Sequence, residues 1–148
     1  MKITLLISLL FYCFVQACNT NVKQATENQQ HTTNTVNNEK IGGIKNLSAN
    51  EFAQILASEP TALLLDVRTP KEYAQGHIKN ALLMNIYDAQ FEENISKLDK
   101  TKPVLVYCAA GGRSADAAQQ LQQKGFARIY NLEQGFSDWE DAKMEVEK

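Results

Sequence analysis

Val104-Leu105-Val106-Tyr107-Cys108-Ala109-Ala110-Gly111-Gly112-Arg113-Ser114 is the stretch on which the fold turns. Its first half is a β-branched, apolar run introduced by Pro103, the pattern of a strand buried on both faces in a parallel sheet. Its second half breaks that pattern. Cys108 ends the strand and two glycines follow. From Ser114 onward, Ala115, Ala118 and Leu121 recur at helical spacing until Lys124-Gly125 supplies a C-terminal stop. The segment therefore reads as strand, tight loop and helix N-terminus.

A cysteine at such a junction is chemically loaded. The unpaired N–H groups of the loop and first helical turn converge on its sulfur, and the helix dipole and Arg113 add positive potential. Together they favour thiolate over thiol and predict a pKa below the free value of about 8.5. The same donors make an anion cradle from Ala109, Ala110, Gly111, Gly112, Arg113 and Ser114. Glycines suit a loop whose amides all point inward, because side-chain-bearing residues resist the required backbone angles. The competing view is a buried Cys at a strand end with glycines serving only the turn. The coincidence of preceding strand, paired Gly, following Arg and helix favours the functional reading.

With those residues in view, Cys108 to Ser114 resembles the C-x-x-G-x-R-S active-site loop of the rhodanese (sulfurtransferase) domain. Leu65-Asp66-Val67-Arg68, Glu72-Tyr73, and Gly76-His77-Ile78 followed by Asn80-Ala81 resemble further signatures of that family in their usual order. The likeness runs from about Ile41 to the C-terminus. It implies an α/β, rhodanese-like fold: a central parallel sheet of about five short strands with helices on both faces. It also implies that Cys108 carries a transferable sulfur as a covalent persulfide, with no metal and no organic cofactor.

Composition sets the frame for the rest. The chain has 148 residues, 44% of them apolar, and a formal net charge of −2. That is room for one domain with an ordinary core. Basic residues are scattered with no Lys/Arg run, which argues against a nucleic-acid partner. Residues 1–17 stand apart: Lys2 precedes an apolar stretch from Ile3 to Val15, too short for a permanent membrane span and shaped like a secretory signal. Val15-Gln16-Ala17-Cys18 resembles the lipobox of bacterial lipoproteins, which implies lipid attachment at Cys18. Several acyl chains there would anchor the protein to the cell envelope on the periplasmic side, the outer membrane ahead of the inner. A soluble periplasmic or secreted protein is the alternative. Residues 18–40 then read as the lipidated Cys and a disordered Asn/Thr/Gln-rich tether, with a reach of about 25 Å. His31 falls within it and carries no expected role.

Cysteine counting follows. Of three Cys, Cys13 leaves with the signal and Cys18 is capped, so Cys108 is the one free thiol expected in the mature chain. A solitary thiolate in an oxidising compartment implies a thioredoxin-like thiol partner or a resting persulfide. The expected partners are a small anionic sulfur donor and a thiol acceptor, with membrane contact through the lipid alone and a monomeric state.

The folded domain is expected over 41–148. Ser48 with Glu51 makes a capping box and Leu47 with Phe52 a hydrophobic staple. Ala62-Leu63-Leu64-Leu65 reads as a central strand delivering Asp66 and Arg68 to its C-terminal edge. Thr69-Pro70-Lys71-Glu72 starts a second helix. Ala81 to Ile86 is the next strand candidate, and Phe91, Ile95 and Leu98 mark a helix face after Asp88. Arg128 to Asn131 is a last short strand, and Gln134 to Trp139 begins a terminal helix. Alternating strands and helices with short loops require parallel pairing with right-handed crossovers, and ligands bind beyond the strand C-termini.

Asp66, Arg68 and Glu72 thus share a rim with Cys108 as supporting residues. Each has a plainer role available: Asp66 as a turn acceptor, Arg68 as half of a structural ion pair, Glu72 as a cap. His77 reads as a hydrogen-bonded structural residue, so no Cys-His dyad is expected and the backbone cradle must activate the thiol. The resemblance then implies double displacement, in which Cys108 takes sulfane sulfur from thiosulfate or another persulfide donor and passes it to cyanide or a thiol. Ala109 and Ala110 depart from the basic or polar residues common after the family's Cys, which predicts weak thiosulfate binding. Lys79-Asn80, Tyr87 and Gln134 are further departures that affect turns. Two rivals remain. A cysteine-dependent phosphatase or arsenate reductase places five residues between Cys and Arg, against the four here, Ala109 to Gly112. A non-catalytic binding module on the same fold is the other.

Overall fold

The computed structural model describes residues 43–148. The signal-type segment, the Cys18 lipid site and the tether lie outside the described residues.

Strands and helices alternate throughout: β1 (Gly43–Leu47), α1 (Ala49–Ser58), β2 (Leu63–Asp66), α2 (Pro70–Gln75), β3 (Leu82–Leu83), α3 (Phe91–Ser96), β4 (Val104–Tyr107), α4 (Gly112–Gln123), β5 (Arg128–Leu132) and α5 (Gly135–Asp141). The five strands form one parallel sheet in the order β1-β5-β4-β2-β3. The α/β fold with a five-stranded parallel sheet is the one expected from the sequence. β4 is central and buried along its whole length, as its unbroken Val104-Leu105-Val106-Tyr107 run requires.

Alternate side chains of the strands feed two cores. Val104, Val106 and Ile129 pack with Phe91 and Ile95 of α3 and Ala117, Ala118 and Leu121 of α4. Leu64, Leu105, Tyr107 and Leu132 pack on the other face with Ala49 and Phe52 of α1 and Phe136 and Trp139 of α5. Both faces of the sheet are therefore covered by helices, and the loops at the C-terminal strand edge are left as the free rim.

Three local expectations are corrected. β1 was not anticipated as a strand: Gly43-Ile44-Lys45-Asn46 has little apolar content, because an edge strand pairs on one side only and stays half exposed. The strand expected over Ala81 to Ile86 shrinks to Leu82–Leu83, since its partner β2 ends at Asp66; beyond it the Met84 and Ile86 amides bond to the Asp66 and Val67 carbonyls at 2.8 and 3.2 Å without forming a regular ladder. The helix after the cysteine begins at Gly112, not Ser114, which places Arg113 in its first turn.

The predicted caps are formed. Glu51 accepts from the Ser48 amide at 3.0 Å and hydroxyl at 2.7 Å, and Glu72 accepts from the Thr69 amide at 3.0 Å and hydroxyl at 2.6 Å. A contact invisible in the sequence joins the ends of the domain: the Ala49 amide at the start of α1 donates to Asp138 of α5 at 2.7 Å, so an α5 carboxylate caps the first helix.

Candidate active site

Cys108 follows β4 directly, and the chain reverses around its side chain. The Gly111 amide donates to Cys108 Sγ at 3.1 Å, and the Ser114 hydroxyl reaches the Gly111 carbonyl at 2.9 Å. Gly111 has φ +92°, and a Cβ there would overlap the Glu133 carbonyl, so glycine is required at this position. No such demand falls on Gly112, whose Cβ position meets nothing within 4 Å.

Two opposed effects act on the thiol. Burial, at 2% exposure, pushes its pKa up; hydrogen bonds from the Ser114 hydroxyl and from the Ser114, Ala110 and Gly111 amides push it down and prevail, leaving the pKa below the ordinary thiol value. Ser114 has one hydroxyl hydrogen, so its bonds to the Gly111 carbonyl and to sulfur are alternatives, the second gaining strength as the sulfur ionises.

The loop is braced from behind by α5. The Phe136 amide donates to the Cys108 carbonyl at 2.7 Å and the Ser137 amide to the Ala109 carbonyl at 3.1 Å. With those carbonyls held outward, the amides that follow them in the chain are turned inward. Gly135 lets α5 come this close: it has φ +67°, and a Cβ on it would lie 2.6 Å from the Cys108 carbonyl oxygen and from backbone atoms of Ala109 and Ala110. Sequence reasoning did not assign this bracing, although the glycine after Gln134 at the start of the terminal helix is its local signal.

Arg113 points across the rim to Glu72, donating at 2.6 Å to Oε1 and 3.0 Å to Oε2. Glu72 therefore serves both readings at once, capping α2 and holding Arg113. The Arg113 bonds come first among the causes that hold its carboxyl down to about 2, against a burial penalty and with help from Thr69. Tyr87, expected only to alter a turn, stands 71% exposed with its ring centroid 5.9 Å from the Arg113 guanidinium carbon.

Asp66 and Arg68 form a separate buried unit beside this one. Arg68 donates to Asp66 through Nε at 3.0 Å and Nη2 at 2.7 Å, and to the Gly76 carbonyl at 2.7 Å, with its guanidinium carbon 4.2 Å from the Phe136 ring centroid. Asp66 is fully buried and Arg68 4% exposed. This is a strut that ties β2 to the end of α2 and to α5, the structural role anticipated for Arg68. His77 stacks on Tyr73 with centroids 3.7 Å apart and makes a 3.2 Å contact to the Tyr73 carbonyl, turned to structure and not to the sulfur.

A pocket of about 300 Å³ opens next to Ala109, walled by Arg68, Glu72, Gly76, Phe136 and Glu140. A low-pKa sulfur ringed by amides can attack an electrophilic atom and then hold the group it gains, since the same donors accept negative charge before and after.

Residues 48–142 match the rhodanese-like domain family. A protein named sulfurtransferase from Allochromatium vinosum is 34% identical over 96 residues, 65% of this chain and 88% of that protein. A protein named thiosulfate sulfurtransferase GlpE from Coxiella burnetii is 40% identical over 84 residues, 57% of this chain and 77% of that one. Among solved structures, a rhodanese-related protein from Thermoplasma volcanium superposes with a TM-score of 0.61 at 28% identity, covering 70% of this chain and 97% of that one.

Proposed function

The chain belongs to the rhodanese-like domain family, and from that membership we propose that it is a sulfurtransferase working through a Cys108 persulfide. The observation that carries the reading is the 3.1 Å contact from the Gly111 amide to Cys108 Sγ in a loop braced by α5. A sulfur so held ionises without a neighbouring base. In the first half-reaction the thiolate attacks the sulfane sulfur of a donor, thiosulfate or another persulfide. The donor's bond to that sulfur breaks, and the electron pair leaves with sulfite or a thiolate. In the second, cyanide or an acceptor thiolate attacks the outer sulfur and the pair returns to Cys108. Nothing else need be bound, and the loop amides stabilise charge on sulfur in both resting forms. Arg113, locked to Glu72, keeps the first turn of α4 in place.

A phosphatase reading is less well supported. Four residues between Cys108 and Arg113 give a ring smaller than one built for tetrahedral phosphate. Glu72, the carboxyl held by Arg113, is kept ionised and is unsuited to protonate a leaving group.

The test is mass spectrometry of the peptide carrying Cys108 before and after a sulfur donor. The expected result is a gain of one sulfur, removed by cyanide and absent in Cys108→Ser. A chain that gains no sulfur from any donor, or whose Cys108→Ser variant turns over as fast, is a binding module instead.

A further inference from the structure

The pocket beside Ala109 says which donor suits this site, an inference that rests on the sulfurtransferase reading. Two arginines serve the rim, and neither has charge to spare. Arg68 is held by the buried Asp66 at 2.7 Å and also donates to the Gly76 carbonyl; Arg113 is held by Glu72 at 2.6 Å. Each cation is matched by a carboxylate in contact. Glu140, on the pocket wall, makes no ion pair among the described residues. Ala109 and Ala110 follow the nucleophile with neither a charge nor a side-chain donor. By formal charge, Arg68, Asp66, Arg113, Glu72 and Glu140 therefore sum to one net negative before Cys108 is counted. The partial positive charge of the α4 N-terminus, about half an elementary charge, is already turned on the sulfur.

A dianion entering this pocket, which adjoins the cysteine loop at Ala109, meets an unmatched carboxylate with no cation free on the pocket wall to receive it. An organic persulfide in its protonated form, R–S–SH, brings no charge at the reacting sulfur, and 300 Å³ accommodates a small thiol carrier. We propose that the sulfur donor of this site is the persulfide of a small organic thiol rather than thiosulfate. The Cys108 thiolate attacks the outer sulfur of R–S–SH. A bond forms between Cys108 Sγ and that sulfur, the donor's S–S bond breaks, and the electron pair leaves on R–S⁻. The product is Cys108–S–SH, its proton carried over with the outer sulfur. No external oxidant or reductant takes part. Ala109 is the specificity-determining position, because it follows the nucleophile directly and lines the pocket.

The experiment uses the full chain and two donors at equal concentration, glutathione persulfide and thiosulfate. Loading is followed as sulfur gain on the Cys108 peptide, each rate divided by that of the same thiol in the urea-unfolded chain to remove uncatalysed exchange. The normalised persulfide rate is expected to exceed the thiosulfate rate by about tenfold, and Ala109→Arg to move that ratio toward thiosulfate by a similar factor. A wild-type ratio at or below one overturns the proposal, as does an Ala109→Arg variant with an unmoved ratio. Loading by neither donor sinks the sulfurtransferase reading itself, an outcome distinct from both.

Discussion

Replacing Gly135 by alanine separates the acidity of Cys108 from the stability of the fold. The new Cβ would sit 2.6 Å from the Cys108 carbonyl oxygen, where ordinary contact starts at 3.4 Å, so α5 or the loop must yield by about 0.8 Å. The shift falls on the 2.7 Å bond from Phe136 to Cys108 and the 3.1 Å bond from Ser137 to Ala109. Their loss costs about 1 kcal/mol each, and the left-handed backbone adds about 1–2 kcal/mol. Once the carbonyls are released, the Ala110 amide, which shares its peptide plane with the Ala109 carbonyl, is no longer fixed on sulfur. A hydrogen bond to a charged group is worth about 1.5–3 kcal/mol, and 1.36 kcal/mol is one pKa unit, so the thiol pKa should rise by about one to two units. Gly125→Ala is the control: its φ of +96° also penalises a side chain, yet the nearest atom to its Cβ is Lys100 Cδ at 3.9 Å, far from the cradle. Iodoacetamide alkylation of the Cys108 peptide against pH, with urea unfolding alongside, reads both quantities. Gly135→Ala should lose stability and acidity, Gly125→Ala stability alone. A folded Gly135→Ala protein with an unshifted alkylation profile would refute the idea that α5 aims the amides.

Two further outcomes follow from the ion pairs. Glu72, held near 2 against an ordinary 4.5, has a depressed folded-state pKa, so its contribution is complete above pH 4.5 and is lost as pH falls from there toward 2. Because the pair is partly exposed, Glu72→Gln should cost only about 1 kcal/mol at neutral pH, and the gap to wild type in urea unfolding should close on acidification; a gap that widens would contradict the sign. Arg68→Ala leaves the fully buried Asp66 unpaired, and should cost about 3–5 kcal/mol, whereas Asp66→Leu combined with Arg68→Met should cost less. Equal losses in the single and double variants would show that the strut acts by packing alone.

How much of this could be read from the chain depends on how local each feature is. The cysteine loop was legible because strand, glycine turn and helix start are consecutive residues, each with its own propensity. The capping boxes at Ser48 and Thr69 were legible for the same reason. β1 was not, since Gly43-Ile44-Lys45-Asn46 is held by its register with β5, from Gly43 opposite Arg128 to Leu47 opposite Leu132. Glu72 was read as a cap or as a site residue. A carboxylate has room for both duties, but that Arg113 supplies the second one depends on a crossover spanning the sheet. The docking of α5 on Cys108 and Ala109 was likewise hidden. Its signal is a single glycine, and a glycine before a helix more often marks a turn than a close approach of two backbones.

The bracing of Cys108 by α5 also ties reactivity to tertiary structure. Wherever α5 is lifted, the Cys108 and Ala109 carbonyls lose the Phe136 and Ser137 amides as partners. An acidic thiol is thus a property of the assembled domain, and local opening at the terminal helix returns Cys108 toward an ordinary cysteine.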